Sequence, residues 1–301
     1  MKIIKIVLLI VLFLVPSAYT FDTQPGRFDR EFPSGQEYID LSTSIVDVYT
    51  IGTGEGSYPD LNSRVPTYIK GVGTFGLGGT GFYVGNGYII TAAHVILPQS
   101  IEIQAGKSFF WVVPINREVS KLILIGGSSF LDGNVPAEII YINEEYDLAL
   151  LKVIGNWPVG EKLDYPLAWT LGNATMPLMP GDAIATVVKK RDDKGNKEWS
   201  YEVRYGKVIA TTPILPPGVD PVVLAWFNLN DITIELPIYP GDSGSPLFAF
   251  QEGKPVIIGI IRAMAVGVEE TKCDQGEWHV KVHIYGYATR IDLIKRLVET
   301  K

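Results

Sequence analysis

From residue 80 onward the chain is cut into short runs of β-branched and aromatic residues, each closed by Gly, Pro, Asn or Asp. That rhythm is the strongest constraint on the fold. Residues 81–84 and 88–91 flank Gly85-Asn86-Gly87, whose Asn-Gly pair is a hairpin turn signal. Further strand-like runs fall at 109–115, 121–125, 137–142 and 148–154, and again at 183–190, 199–211, 222–236, 246–250, 256–263 and 280–289. A Pro- and Gly-rich stretch at 155–181 reads as a connector, leaving about six strands on either side. Residues 44–51 alternate as a strand, whereas 52–79 are Gly-rich and predict a long loop or irregular hairpin. Only 291–298 shows helical periodicity, with Ile291, Ile294, Leu297 and Val298 on one face. Regular short strands with turns between them predict an all-β sandwich or barrel.

Such a fold must hold itself together by burial, because Cys273 is the only cysteine and no intramolecular disulfide can form. Hydrophobic residues make up 47% and charged residues 20%, enough apolar material for a large core. The N-terminus reads as an export signal: Lys2 and Lys5, the apolar run 6–15, then Pro16 and small residues before position 20. That run falls short of the roughly 20 residues needed to span a bilayer, so no lasting membrane anchor is expected. Removing 1–20 takes two lysines and no acids from a net charge of −7. An acidic chain whose one basic run, Lys189-Lys190-Arg191, is followed by Asp192-Asp193 argues against nucleic acid as a partner. No metal or other cofactor is expected. The three histidines and one cysteine lack zinc-type spacing, and His279 with His283 would converge only on a helix.

Three segments carry chemistry: Thr91-Ala92-Ala93-His94 at the end of an apolar run, Asp147-Leu148-Ala149-Leu150 opening another, and Gly241-Asp242-Ser243-Gly244-Ser245-Pro246 before a third. A serine hydroxyl is a poor nucleophile until a base takes its proton, and histidine suits that task near neutral pH. The imidazole in turn needs a carboxylate to fix its tautomer and stabilise the charge it gains. Glycines around Asp242-Ser243 permit a tight turn that aims the amides of Gly241 and Ser243 at one point, as an oxyanion requires. His94, Asp147 and Ser243 are therefore the candidate catalytic residues, with Gly241 and Ser243 supplying the oxyanion hole.

These three blocks, in this order, resemble the triad blocks of the trypsin/chymotrypsin-like serine protease family. The Gly-Thr-Gly-Phe run before the histidine is similar to the disulfide-free bacterial branch, which includes glutamyl endopeptidases and Deg-type proteases. Gly286-Tyr287-Ala288-Thr289-Arg290 resembles the family's C-terminal end. The resemblance implies two six-stranded antiparallel β-barrels with the active site in the cleft between them and a C-terminal helix. Its organisation would be signal peptide 1–20, leader or pro-segment 21–44, N-terminal barrel 45–165, and C-terminal barrel plus helix 166–301.

The activity implied is that of a secreted or periplasmic serine endopeptidase acting on proteins or peptides as a monomer. Its alternatives are a non-catalytic homologue acting as a binding protein, or a Deg-type quality-control protease. The resemblance also assigns Pro237, Ile238, Gly286 and Ala288 to the S1 pocket. An acid at the pocket base selects Lys or Arg in this family; Pro237 there implies a P1 residue that is not basic. Arg262 or His283 would be the groups available for an acidic P1. In zymogens of the family a freed Ile-Val terminus pairs with the Asp before the nucleophile, here Asp242. Ile45-Val46 offers such a terminus, although the same residues read as a first strand.

Overall fold

The computed structural model describes residues 28–32, 44–60, 62–63, 65–115, 120–126, 135–154, 177–189, 201–221, 231–272, 278–290 and 293. Two closed, six-stranded antiparallel barrels make up almost all of it, as the resemblance implies.

The first barrel contains β1 (Ile45–Pro59), β2 (Tyr68–Gly85), β3 (Tyr88–Ala92), β4 (Ile101–Ala105), β5 (Ser108–Val112), β6 (Ser120–Gly126), β7 (Val135–Asn143) and β8 (Leu148–Val153). The ring runs β1-β6-β7-β8-β3-β2 and closes because β2 pairs back on β1; the β4–β5 hairpin attaches to β2. The second barrel contains β9 (Ala183–Lys189), β10 (Tyr201–Ala210), β11 (Asp231–Glu235), β12 (Pro246–Gln251), β13 (Lys254–Lys272) and β14 (Trp278–Arg290), closed in the order β10-β11-β14-β13-β12-β9. The connector predicted at 155–181 falls between β8 and β9, with 155–176 outside the described residues.

Strands of an isolated barrel bury one face, but β3 buries Ile89, Ile90, Thr91 and Ala92 in succession. Alternate side chains of β3 point to opposite faces, so both of its faces are covered. The second cover is the other barrel: Val187, Phe248, Ile257 and Ile260 belong to the same packed cluster as Phe82, Ile90 and Leu148. Fully burying a side chain of this size contributes roughly 1.5–3 kcal/mol, so the seam between barrels is part of the core. The second barrel's own interior is a separate cluster that includes Ile184, Val208, Ile234, Leu247, Ile258, Ile261 and Ala288.

Of the two readings of the Gly-rich stretch 52–79, the hairpin is the one observed, and it is regular rather than irregular: β1 and β2 pair without a break from Ile45↔Phe82 to Pro59↔Tyr68. The glycines are there for close approach. A β-carbon on Gly73 would lie 2.6 Å from the Glu102 carbonyl oxygen, and one on Gly71 would press on Tyr58 and Ile103. Bare backbone lets the β4–β5 hairpin lie directly across β1 and β2.

Part of the leader docks on the second barrel. Within 28–32, Asp29 N donates to Phe250 O at 2.7 Å, and Asp29 O accepts from Ala183 N at 2.9 Å. The Asp29 carboxylate accepts from Gly253 N, and Phe28 is sealed into the second barrel's core. The export signal, Cys273, Arg191 and nearly all of the C-terminal helical run lie outside the described residues. Leu293 is helical and packs on the first core.

Candidate active site

The first barrel assembles two of the three chemical groups by itself. At the end of β3 the chain enters a short 3-10 turn, Ala93–Val95, which projects His94 out of the strand. Across the sheet β7 and β8 pair as Asn143↔Leu148, leaving Asp147 as the last residue of the tight turn between them. Asn143 Oδ1 accepts from Tyr146 N, and Asp147 N donates to Glu144 O, closing that turn. Asp147 adopts φ 53, a left-handed conformation that Asp tolerates better than most residues. This geometry lets its carbonyl accept from Ala93 N at 3.1 Å while its side chain faces the next residue along.

Both carboxylate oxygens of Asp147 are spent on His94. Oδ1 accepts from the His94 backbone N at 2.8 Å, and Oδ2 meets Nδ1 at 2.7 Å. A carboxylate only accepts, so Nδ1 carries the ring proton and Nε2 presents its lone pair. Asp147 is 9% exposed at its side chain against 31% for His94. The acid is thus shielded, while the base is partly open to solvent.

The Ser243 turn belongs to the second barrel but is moored to the first. Thr80 N donates to Ser243 O at 2.8 Å, and Thr80 Oγ1 donates to Gly241 O at 2.9 Å. Thr91 Oγ1, three residues before His94, donates to Thr80 O and ties the mooring strand to the histidine strand. Two glycines make this approach possible. Gly244 has φ +89, and a β-carbon there would collide with Thr80 O and lie 2.5 Å from Thr91 Oγ1; one on Gly79 would lie 2.9 Å from Ser243 O. The turn is closed from behind by Gly244 N donating to Ile261 O and Ser245 N to Asp242 O. Gly241 sits at φ +100. Among the described residues, the amides of Gly241 and Ser243 donate to no protein acceptor.

Asp242 is held by an arginine of its own barrel. Arg204, on β10, places Nη1 2.5 Å from Asp242 Oδ2, and the same oxygen accepts from Tyr239 N at 2.7 Å. Arg204 also donates to Pro237 O and lies 4.6 Å over the Tyr239 ring. Ile45 and Val46 are buried β1 residues, with Ile45 paired to Phe82. Of the two readings of Ile45-Val46, the strand is the one observed.

The S1 candidates are placed differently from one another. Pro237 is exposed and Ile238 is 5% exposed within the second barrel's core, where Ala288 is fully buried. Ile238 lies directly over the α-carbon of Gly286, leaving no room for a β-carbon there. The two groups considered for an acidic substrate both face acids of the chain itself: Arg262 pairs with Asp231 at 2.6 Å, and His283 Nε2 lies 3.1 Å from Glu269 Oε2. His279 and His283 lie on strand β14 rather than a helix, so their spacing does not bring them together. Among the described residues, no group of three or more His, Cys, Asp or Glu side chains could hold a metal ion.

Sequence reasoning missed Arg204 and Asp231. The signal for both was a charge inside or beside an apolar strand, which burial makes costly unless a partner is near.

A double barrel with a His–Asp pair on one barrel and a Gly-flanked serine turn of the other moored beside it is the architecture of a serine-protease-type hydrolase. The family model of the trypsin-like peptidase domain matches residues 79–260, more than half of the chain, and the chain belongs to that family. No curated protein matches it.

Proposed function

We propose that this protein is a serine endopeptidase that cleaves peptide bonds through an acyl-enzyme, with Ser243, His94 and Asp147 as its triad. The observation that carries the reading is the pairing of both Asp147 oxygens with His94 beside a serine turn moored to the same strands.

In this mechanism Ser243 Oγ attacks the substrate carbonyl carbon while His94 Nε2 takes the hydroxyl proton. Asp147 keeps the Nδ1 proton in place and stabilises the imidazolium. The carbonyl oxygen, now an oxyanion, is received by the amides of Gly241 and Ser243; losing one such donor costs roughly 3–4 kcal/mol of transition-state stabilisation. His94 then protonates the departing amine. Water, deprotonated by His94, releases the acyl group by the reverse sequence.

The P1 residue is proposed to be small or apolar rather than basic. Pro237 and Ile238 offer no acid, and Ile238 over Gly286 makes the wall apolar. The internal pairing of Arg262 and His283 favours no acidic P1 either. Export by residues 1–20, action outside the cytoplasm and a monomeric state remain part of the proposal.

The test is hydrolysis of a mixed peptide library by purified protein. Wild type cleaves; Ser243→Ala and His94→Ala each abolish cleavage while keeping the native melting temperature. Cleavage surviving in Ser243→Ala rules out this triad.

A further inference from the structure

Behind the His94–Asp147 pair lies a charged side chain that the proposed mechanism does not use. Strand β13 pairs regularly with β14 until Ile261↔Ala288, then slips, with Ala263 resuming against Tyr287. Arg262 is the extra residue of that bulge. Bulges redirect side chains away from a strand's ordinary alternation, and this one sends Arg262 across the seam toward the first barrel. Its Nε lies 3.5 Å from Asp147 Oδ2, the same oxygen that meets His94 Nδ1. Its Nη1 lies 2.6 Å from Asp231 Oδ2 on β11. Arg262 is 14% exposed at its side chain and Asp231 is fully buried.

We propose that Arg262, held by Asp231, is the positioning residue for Asp147: a guanidinium from the second barrel that fixes the orientation of the first barrel's acid. The inference rests on the triad reading above. Two features make the role specific. Asp147 sits on a turn at positive φ, outside any strand ladder, so its side chain gains from an anchor beyond the turn. The guanidinium is also balanced. Arg262 alone beside Asp147 would cancel the negative charge that stabilises the imidazolium in the transition state, whereas Asp231 returns a net negative charge to the group. A rigid, planar guanidinium suits holding two carboxylates at once; an ammonium is a point charge and does not. The line Asp231, Arg262, Asp147, His94 thus crosses from one barrel to the other and makes the dyad's alignment depend on the seam.

The test is steady-state peptide hydrolysis by three variants beside wild type, each first checked for native melting. In Arg262→Ala, kcat falls on the order of 100-fold, the scale of a misplaced catalytic group, while KM stays within about twofold. Added guanidinium ion at non-denaturing concentration restores part of that loss, and the same ionic strength of sodium chloride does not. Arg262→Lys remains impaired. Should Arg262→Ala fail to fold because Asp231 is left buried without its partner, the double variant Arg262→Met with Asp231→Asn removes both charges and is expected to fold with the same drop in kcat. A folded double variant with wild-type kcat, or a folded Arg262→Ala insensitive to guanidinium, overturns the inference. Inactivity of wild type itself would instead strike at the triad reading, so the two failures are told apart.

Discussion

The two halves of the candidate site are built by opposite means. The His94–Asp147 pair is internal to one barrel: neighbouring strands β3 and β8 set the spacing, and backbone bonds from Ala93 N to Asp147 O and from Asp147 N to Glu144 O lock the turn. The Ser243 turn draws support from both barrels: from Thr80 of the other one, and from its own through Arg204, by way of Asp242, and Ile261 behind it. One half follows from sheet register, and the other from tertiary contacts between distant segments. The comparison teaches that damage to the seam disturbs the nucleophile before it disturbs the base. Arg262 beside Asp147, and Thr289, whose hydroxyl donates to Tyr146 O, carry influence the other way.

Arg204 offers the sharpest break. Arg204→Met leaves Asp242 buried without its guanidinium, and breaking such a pair costs roughly 3–5 kcal/mol. Denaturant melts should show that loss, and the folded fraction should hydrolyse peptides poorly. A nearly unchanged stability would mean the turn is self-supporting.

Phe28→Ala tests the docked N-terminal segment. Truncating a buried Phe costs roughly 3–5 kcal/mol, less here if the rim of the second barrel relaxes. Calorimetry should report the loss, with kcat of the folded enzyme preserved, since Phe28 packs against Ile184 and its cluster, which includes none of His94, Asp147 and Ser243.

Thr80→Val is gentler. It removes the hydrogen bond to Gly241 O but keeps the backbone bond to Ser243 O, at about 1 kcal/mol. Its effect should appear in kcat rather than KM, because the mooring aims the oxyanion amides and does not grip substrate.

The smallest effect concerns Tyr287, whose phenol donates to Ile214 O. Burial, with the charges of Tyr285 and Asp231 adding to it, pushes its pKa from 10.0 up to about 12. The raised value favours the protonated phenol in the fold. Its contribution is therefore fully present below pH 10 and is lost as pH rises through about 12. An alkaline stability series should decline across that window, and Tyr287→Phe should flatten the decline while lowering stability at neutral pH.

These contrasts also explain what the sequence could tell. The strand rhythm, the six-per-barrel count and the His94, Asp147 and Ser243 blocks were legible because each is local: a run, a turn, a Gly-flanked hydroxyl. The β1–β2 hairpin was legible only as one of two readings, since its glycines look like loop residues until the crossing of Ile103 and Glu102 shows why side chains are excluded. Arg204 and Asp231 were missed for a different reason. Their partners lie 38 and 31 residues away, and no spacing rule links them. Arg262 interrupts an otherwise apolar strand, which marks it as paired but leaves the partner open. Phe28 and Asp29 fill an edge of a barrel that begins at Ala183, a contact only the fold reveals.

The most direct measurement is covalent labelling with a serine-directed phosphonate, followed by peptide mapping of the adduct. One adduct on Ser243, absent when His94 is replaced by Ala and strongly slowed in Arg204→Met, is the result this account predicts. A folded protein that takes no label, or takes it on another residue, would contradict it.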